Sequence, residues 1–226
     1  MDFIKELEGL NITLSPKQLE QFDKYFNLLV EYNKVMNLTG ITDHDGVYLK
    51  HFYDSLTLVK AYDFNKELSL CDVGSGAGFP SIPLKIAFPN IKLTIVDALN
   101  KRLEFLKVIV KELELDNVLL IHSRAEELNK REEFDIVTSR ALSDINIGLE
   151  LCMPLVKVSG YYLPMVVGYD LGSNTIKTLG GVLEDEIIFN LPIENSERRI
   201  LKIKKVEKTS SKYPRSFAQI KKKPLR

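Results

Sequence analysis

Two hydrophobic rhythms divide the chain. In the first, apolar residues recur every three or four positions, the spacing of a helix with one buried face. Leu19, Phe22, Phe26, Leu29 and Val30 follow it behind a start signal at Ser15-Pro16-Lys17-Gln18. That signal joins a capping serine, a proline at the first helical position and a glutamine three after the cap. The polar, turn-rich NLTGITDHDG stretch (Asn37 to Gly46) interrupts the pattern. It resumes across VYLKHFYDSLTLVKAY, which predicts a second helix with Leu49, Phe52, Leu56 and Val59 inward. Residues 1–66 therefore read as a helical extension.

In the second rhythm, short continuous apolar runs alternate with helical stretches. LSLCDV (Leu68–Val73), KLTIVDA (Lys92–Ala98), VLLIHS (Val118–Ser123), FDIVTS (Phe134–Ser139) and GYYLPMVV (Gly160–Val167) read as buried strands. Helical segments lie between them: one rich in Leu84, Ile86, Ala87 and Phe88, one over Asn100–Leu115, one over Asp144–Met153. Strand and helix in alternation predict an α/β fold with a mostly parallel sheet covered on both faces. The ending differs. GVLEDEIIFNL (Gly181–Leu191) and RRILKIKKV (Arg198–Val206), joined by PIENSE, read as an antiparallel hairpin at the sheet edge. A length of 226 residues suits one domain, 1–226, with its core in 67–226.

Composition narrows the classes. No apolar stretch reaches the roughly 18 residues of a membrane span, and MDFIKELEGL lacks the basic-then-apolar pattern of a signal peptide. The cysteines, Cys71 and Cys152, each sit in an apolar run and read as buried thiols, which suits a reducing cytoplasm. His44, His51 and His122 are scattered without metal-ligand spacing, so no metal is expected. The chain is neutral overall, yet Arg198 to Arg226 holds 12 bases and one acid, Glu207, leaving +11 there and −11 elsewhere. Two readings stay open: a polyanion contacts this end, or it is a solvated strand face and a frayed tail.

The chemistry concentrates after the first strand, in DVGSGAGFPSIPL (Asp72–Leu84). Gly74, Gly76 and Gly78 stand where an open α/β sheet takes its ligand. Phe79 replaces the last glycine of the dinucleotide fingerprint, and Pro80 and Pro83 remove amide donors that a pyrophosphate needs. Asp72 repels phosphate and suits a cationic group. Together these favour a nucleoside carrying an ammonium, of which S-adenosylmethionine is the common one, over a nicotinamide cofactor. Asp97, followed by Ala98, closes the second strand and could accept ribose hydroxyls, or could cap the helix after it. SRAEEL (Ser123–Leu128) lies where an adenine would sit, or starts a helix. Arg140 follows the fourth strand, either fixing a substrate phosphate or cofactor carboxylate or forming a surface ion pair.

With these residues assembled, the chain resembles the RsmG family, also called glucose-inhibited division protein B. The resemblance rests on NKVMNLTGI (Asn33–Ile41), KHFYDSL (Lys50–Leu56), DVGSGAGFPSIPL, DALNKRLEFL (Asp97–Leu106), SRAEEL, FDIVTSRAL (Phe134–Leu142) and YPR…KKKPL (Tyr213–Leu225). It implies a Rossmann-like class I S-adenosylmethionine-dependent methyltransferase that modifies nitrogen seven of a guanine in small-subunit (16S) ribosomal RNA. The family's cofactor positions carry over to Gly74, Phe79, Ala125, Glu126 and Arg140, with Asp97 at the ribose. Two departures stand out: Ser81 occupies a position where the family has glycine, and the tail lacks the family's glycine-containing middle.

The expected partner is 16S rRNA or the small ribosomal subunit, contacted by Arg215, Lys221, Lys222 and Lys223 of the tail. Lys101 and Arg102 either join them on RNA phosphates or form a solvated helix face. His51 and Asp54, three apart on the second helix, either line the acceptor pocket or bond each other. Because the guanine nitrogen has a lone pair and no proton, no acid/base pair is expected, and Arg140 is at most a positioning group. The expected setting is cytoplasmic, with a monomeric chain and no membrane. Same-fold alternatives are a methyltransferase of protein or small molecules, a nicotinamide oxidoreductase, and a non-catalytic RNA-binding module.

Overall fold

The structure, a computed structural model, describes residues 1–140, 142 and 144–226. Helix α1 (Phe3–Glu8) leads to α2 (Pro16–Met36), whose start is the capping box read from the sequence: Ser15 and Gln18 exchange side-chain and backbone bonds. The buried stripe of α2 is Phe22, Tyr25 and Leu29. Tyr25 belongs to the apolar face because its ring packs inward, although its hydroxyl hides it from a purely hydrophobic pattern.

The second predicted helix is present but not regular. It begins as α3 (His44–Val47), widens into a π-helix over Tyr48–Tyr53, returns as α4 (Asp54–Leu56) and closes in a 3-10 turn over Thr57–Lys60. π-Turns insert a residue into the helical ladder and often mark functional sites. Here the widening buries residues 52–58 without a break. Phe3, Phe22, Tyr48, Phe52, Tyr25 and Phe79 form one chain of packed rings with neighbouring centroids 5.0–5.6 Å apart. That chain welds the extension to the core.

Among the described residues, seven strands make one sheet in the order β3-β2-β1-β4-β5-β7-β6. They are β1 (Leu68–Val73), β2 (Ile91–Asp97), β3 (Val118–His122), β4 (Phe134–Arg140), β5 (Val156–Val166), β6 (Gly181–Asn190) and β7 (Glu197–Lys205). The first five are mutually parallel; β7 pairs antiparallel with β5 and with β6, so the predicted hairpin forms the edge. Strand β5 starts four residues before the predicted Gly160, at the buried Val156, because Lys157, Val158 and Ser159 after it are half-buried or exposed and break the apolar run. Helices α5 (Ser81–Ala87), α6 (Asn100–Glu112), α7 (Ile145–Cys152) and α8 (Thr175–Thr178) cover the sheet. The chain leaves β1 toward β2 and β3, then returns to β4 on the other side. The crevice at the carboxyl ends of β1 and β4 is where such sheets take ligands.

The tail is ordered. Arg131 donates to the carbonyls of Tyr213 (2.6 Å) and Thr209 (3.0 Å), and α9 (Phe217–Lys222) docks through the buried Ile220. Buried Lys205 donates to Met153 O at 2.6 Å, and burial pushes its pKa down to about 8. Cys71 and Cys152 are buried free thiols, as expected.

Candidate functional site

Strand β1 delivers Asp72 to the crevice fully buried, and among the described residues neither carboxylate oxygen has a hydrogen-bond partner. The hydroxyls of Ser75 and Ser81 are likewise buried and unpartnered. Burial pushes the Asp72 pKa up to about 7; the nearby Ser81 hydroxyl and amide and the Arg140 charge check that rise, and Asp97 adds to it. Native proteins rarely leave so many buried polar atoms unsatisfied in one place. Such a carboxylate can accept an ammonium or another donor group.

The turn after Asp72 is open on one side and closed on the other. At Gly76 (φ +62°) an added Cβ would meet nothing within 4 Å, so a ligand can lie against bare backbone. At Gly78 (φ +104°) the same atom would strike Ile82, Tyr25 and Leu106 within 2.9 Å. Pro80 and Pro83 flank and enter the first turn of α5, so the expected loss of phosphate-binding amides holds. Asp97 is buried and ties the turn to β2: Oδ2 accepts from the Gly76 amide at 3.3 Å and Oδ1 from the Leu99 amide at 2.9 Å. It does not cap α6, whose N-cap is Leu99 without a side-chain bond. Ala98 is exposed beside it. SRAEEL forms only a single 3-10 turn over Ala125–Glu127, with Ala125 buried and Glu126 half-buried.

Across the crevice stands a cluster of a different kind. Arg140 Nη1 donates to Asp54 Oδ2 and to Lys50 O, both at 3.1 Å, and Nη2 approaches His51 Nδ1 at 3.3 Å. The guanidinium lies 4.9 Å from the centre of the Phe79 ring, and His51 stacks on that ring at 4.5 Å. The other oxygen of Asp54 makes no hydrogen bond among the described residues but lies 3.2 Å from Arg198 Nε of β7, an ion pair by distance. Burial raises the Asp54 pKa against the pull of both guanidiniums. His51 and Asp54 thus share partners and not a bond with each other, and Arg140 is an inward ion pair, not a surface one. Burial, with the Arg140 charge, pushes the His51 pKa down to about 4, so the ring is neutral at neutral pH. Arginine only donates. His51 Nδ1 faces both that donor, at 3.3 Å, and the Lys50 carbonyl, an acceptor, at 3.1 Å, and Nε2 pairs with Thr39 Oγ1 at 2.8 Å. Asn33 holds the Thr39 backbone on both sides, which gives the NKVMNLTGI segment its physical task.

This cluster forms one wall of a cavity of about 690 Å³ that also meets Leu142, Met165, Tyr169, Asp170 and Phe189. That is the size of a small-ligand site. Tyr25, Arg198 and Tyr169 were not among the sequence candidates; no local motif marks them, and only the fold assembles them. The Ala141 position of FDIVTSRAL lies outside the described residues.

The expected RNA contacts separate into two groups. Arg102 turns back to Asp97 Oδ2 at 3.3 Å, and Lys101 donates to Met36 O at 3.1 Å. Arg215 forks onto the buried Glu150, with Nε at 2.7 Å and Nη2 at 2.6 Å, and acts as an anchor for the tail. Lys221, Lys222 and Lys223 are exposed on and after α9. The sequence-level charge asymmetry shrinks in space, because Arg198, Arg199, Lys202, Lys204, Lys208, Arg215 and Arg226 all reach acids within 4 Å. Among the described residues no group of three or more His, Cys, Asp or Glu could hold a metal, and no helix is long and apolar enough to cross a membrane.

Residues 18–168 match the family model for rRNA small subunit methyltransferase G. The chain is 53% identical over 213 residues to ribosomal RNA small subunit methyltransferase G of Bacillus cytotoxicus, covering 90% of this chain and 89% of that protein. It is 49% identical over 232 residues to the protein of the same name from Oceanobacillus iheyensis, covering 99% and 98%. In fold it is similar to a SAM-dependent methyltransferase from Aquifex aeolicus, with TM-score 0.56 and 17% identity over 73% of this chain and 94% of that one. It is similar too to a 1,6-didemethyltoxoflavin-N1-methyltransferase from Burkholderia thailandensis, with TM-score 0.54 and 13% identity over 82% and 90%. At those identities the likeness speaks to the fold alone.

Proposed function

Because the chain belongs to the ribosomal RNA small subunit methyltransferase G family, we propose that it transfers a methyl group from S-adenosylmethionine to nitrogen seven of a guanine in 16S ribosomal RNA. The observation that carries the reading is the match to named relatives over nearly the whole chain. Family membership also sets aside the nicotinamide, small-molecule and non-catalytic alternatives.

The residues fit the donor. When bound, S-adenosylmethionine supplies an electrophilic methyl on a positively charged sulfur. Asp72, buried without a partner, would take its ammonium. Gly74 and Gly76 would lie against it with bare backbone, Asp97 and Ala98 at its ribose, Ala125 and Glu126 at its adenine. The Phe79 ring supports this wall from behind, since it is packed between Tyr25 and His51. Arg140 acts by position: its guanidinium is engaged by Asp54, and the rigid cluster shapes the adjoining cavity, which we read as the seat of the guanine.

The guanine nitrogen needs no deprotonation, so the neutral His51 is not required as a base. The chain's task is to hold, align and exclude water, and alignment of this kind contributes roughly 7–11 kcal/mol. Lys221–Lys223 extend the contact to RNA phosphates. The chain works as one domain, as a monomer, in the cytoplasm; the two buried free thiols suit that setting.

The test is incubation with methyl-labelled donor and small ribosomal subunits lacking the modification. Label should appear in RNA as 7-methylguanine; label in protein would contradict the reading.

A further inference from the structure

We propose that Tyr25, in the helical extension, is a positioning residue of the methyl-donor site, acting through the carbonyl of Ala77. This deepens the donor-site reading above and rests on it. Tyr25 is fully buried, and its hydroxyl donates to Ala77 O at 2.6 Å, a bond that spans 52 residues. Its ring is stacked between Phe52 at 5.1 Å and Phe79 at 5.6 Å. Those contacts alone would be served by phenylalanine, so the hydroxyl needs its own reason.

The reason lies in the turn. Ala77 sits between two glycines at positive φ, where no side chain restrains the backbone. On one side, the Gly76 amide is fixed by Asp97 at 3.3 Å. On the other, the Ala77 peptide carbonyl is fixed by Tyr25. Gly78 is bare because a Cβ there would come within 2.8 Å of the Tyr25 hydroxyl. The Gly78 and Phe79 amides close the turn on Ser75 O, both at 3.0 Å, and two side chains tie it to its surroundings: one acid from β2 and one phenol from α2. Burial raises the Tyr25 pKa well above the usual tyrosine value, so the phenol keeps its proton and always donates.

The experiment is calorimetric titration of Tyr25→Phe with S-adenosylhomocysteine. Removing a buried hydrogen bond of ordinary strength should raise the Kd about threefold to tenfold. Apparent affinity for 16S RNA should stay as in wild type. Tyr48→Phe is the control: it removes the Tyr48–Asp23 bond from the same aromatic chain, and should lower Tm without changing that Kd. If Tyr25→Phe binds S-adenosylhomocysteine like wild type, the proposal is overturned. If wild type itself does not bind, the donor reading fails instead. Should Tyr25→Phe not fold, hydrogen exchange of wild type decides. Coupling is reciprocal, so S-adenosylhomocysteine must slow exchange in α2 around Tyr25, and unchanged exchange there would overturn the proposal.

Discussion

The two sides of the crevice treat their charges in opposite ways. On the β1 side, Asp72 is fully buried and makes no hydrogen bond among the described residues. On the β4 side, Asp54 is also buried but has two arginines beside it: Arg140 hydrogen-bonds one oxygen, and Arg198 lies within ion-pair distance of the other. One carboxylate waits for a ligand; the other is part of the scaffold. A buried charge is costly unless paired, so the unpaired one marks where binding free energy is to be gained. The paired one marks where shape must be kept.

Removing each carboxylate should therefore move stability in opposite directions. The largest effect is expected at Asp54→Ala, which strands two half-buried guanidiniums and should cost about 3–5 kcal/mol in urea unfolding. Asp72→Asn should instead stabilise the ligand-free protein at pH 8, by about 1–3 kcal/mol, because it deletes an unpartnered buried charge. A loss of stability in Asp72→Asn would break the comparison.

Acidity should separate the same two sides. Asp72 has a folded pKa near 7, above its unfolded value, so the native state binds the extra proton. Its contribution favours the ligand-free fold at low pH and is lost as pH rises toward 7. His51 has a folded pKa near 4, below its unfolded value. Its contribution is present above about pH 6.5 and is lost as pH falls toward 4. The two slopes oppose each other in that window. Relative to wild type, Asp72→Asn should lose stability more steeply on acidification from about pH 6.5 to about 4, and His51→Gln less steeply. Parallel profiles for all three proteins would contradict both assignments.

The smallest effect on stability is expected at the tail. Replacing Lys221, Lys222 and Lys223 with alanine should change unfolding by less than about 0.5 kcal/mol. It should flatten the salt dependence of RNA binding, by about 0.7–0.9 in log–log slope for each phosphate no longer neutralised. The same change at Arg215 should destabilise the tail, because its guanidinium is held by Glu150.

The same contrast explains what was legible in the sequence. The β1 side of the crevice was legible as a candidate site because Asp72, the glycines and Phe79 are contiguous, and because Asp97 closes the next strand. The alternation of strands and the edge hairpin followed from apolar runs and their spacing. The cavity wall around Arg140 was not readable as a unit. Its parts come from Thr39, His51, Asp54, Arg140 and Arg198, and only the sheet order brings them together. The π-turn over Tyr48–Tyr53 was invisible because Leu49, Phe52, Leu56 and Val59 keep the three- and four-residue spacing of an ordinary helix. Net charge misled in a similar way: much of the basic C-terminal end is paired with acids, several of them from distant segments.

The central claim is that the unpartnered Asp72 carboxylate receives the donor's ammonium. Calorimetry of S-adenosylhomocysteine binding between about pH 5.5 and about 7.5, in wild type and Asp72→Asn, tests it most directly. The account predicts that wild-type affinity rises with pH through about 7 with proton release on binding, and that Asp72→Asn binds at least about tenfold more weakly without that dependence. Equal affinity and equal pH dependence in the two proteins would contradict it.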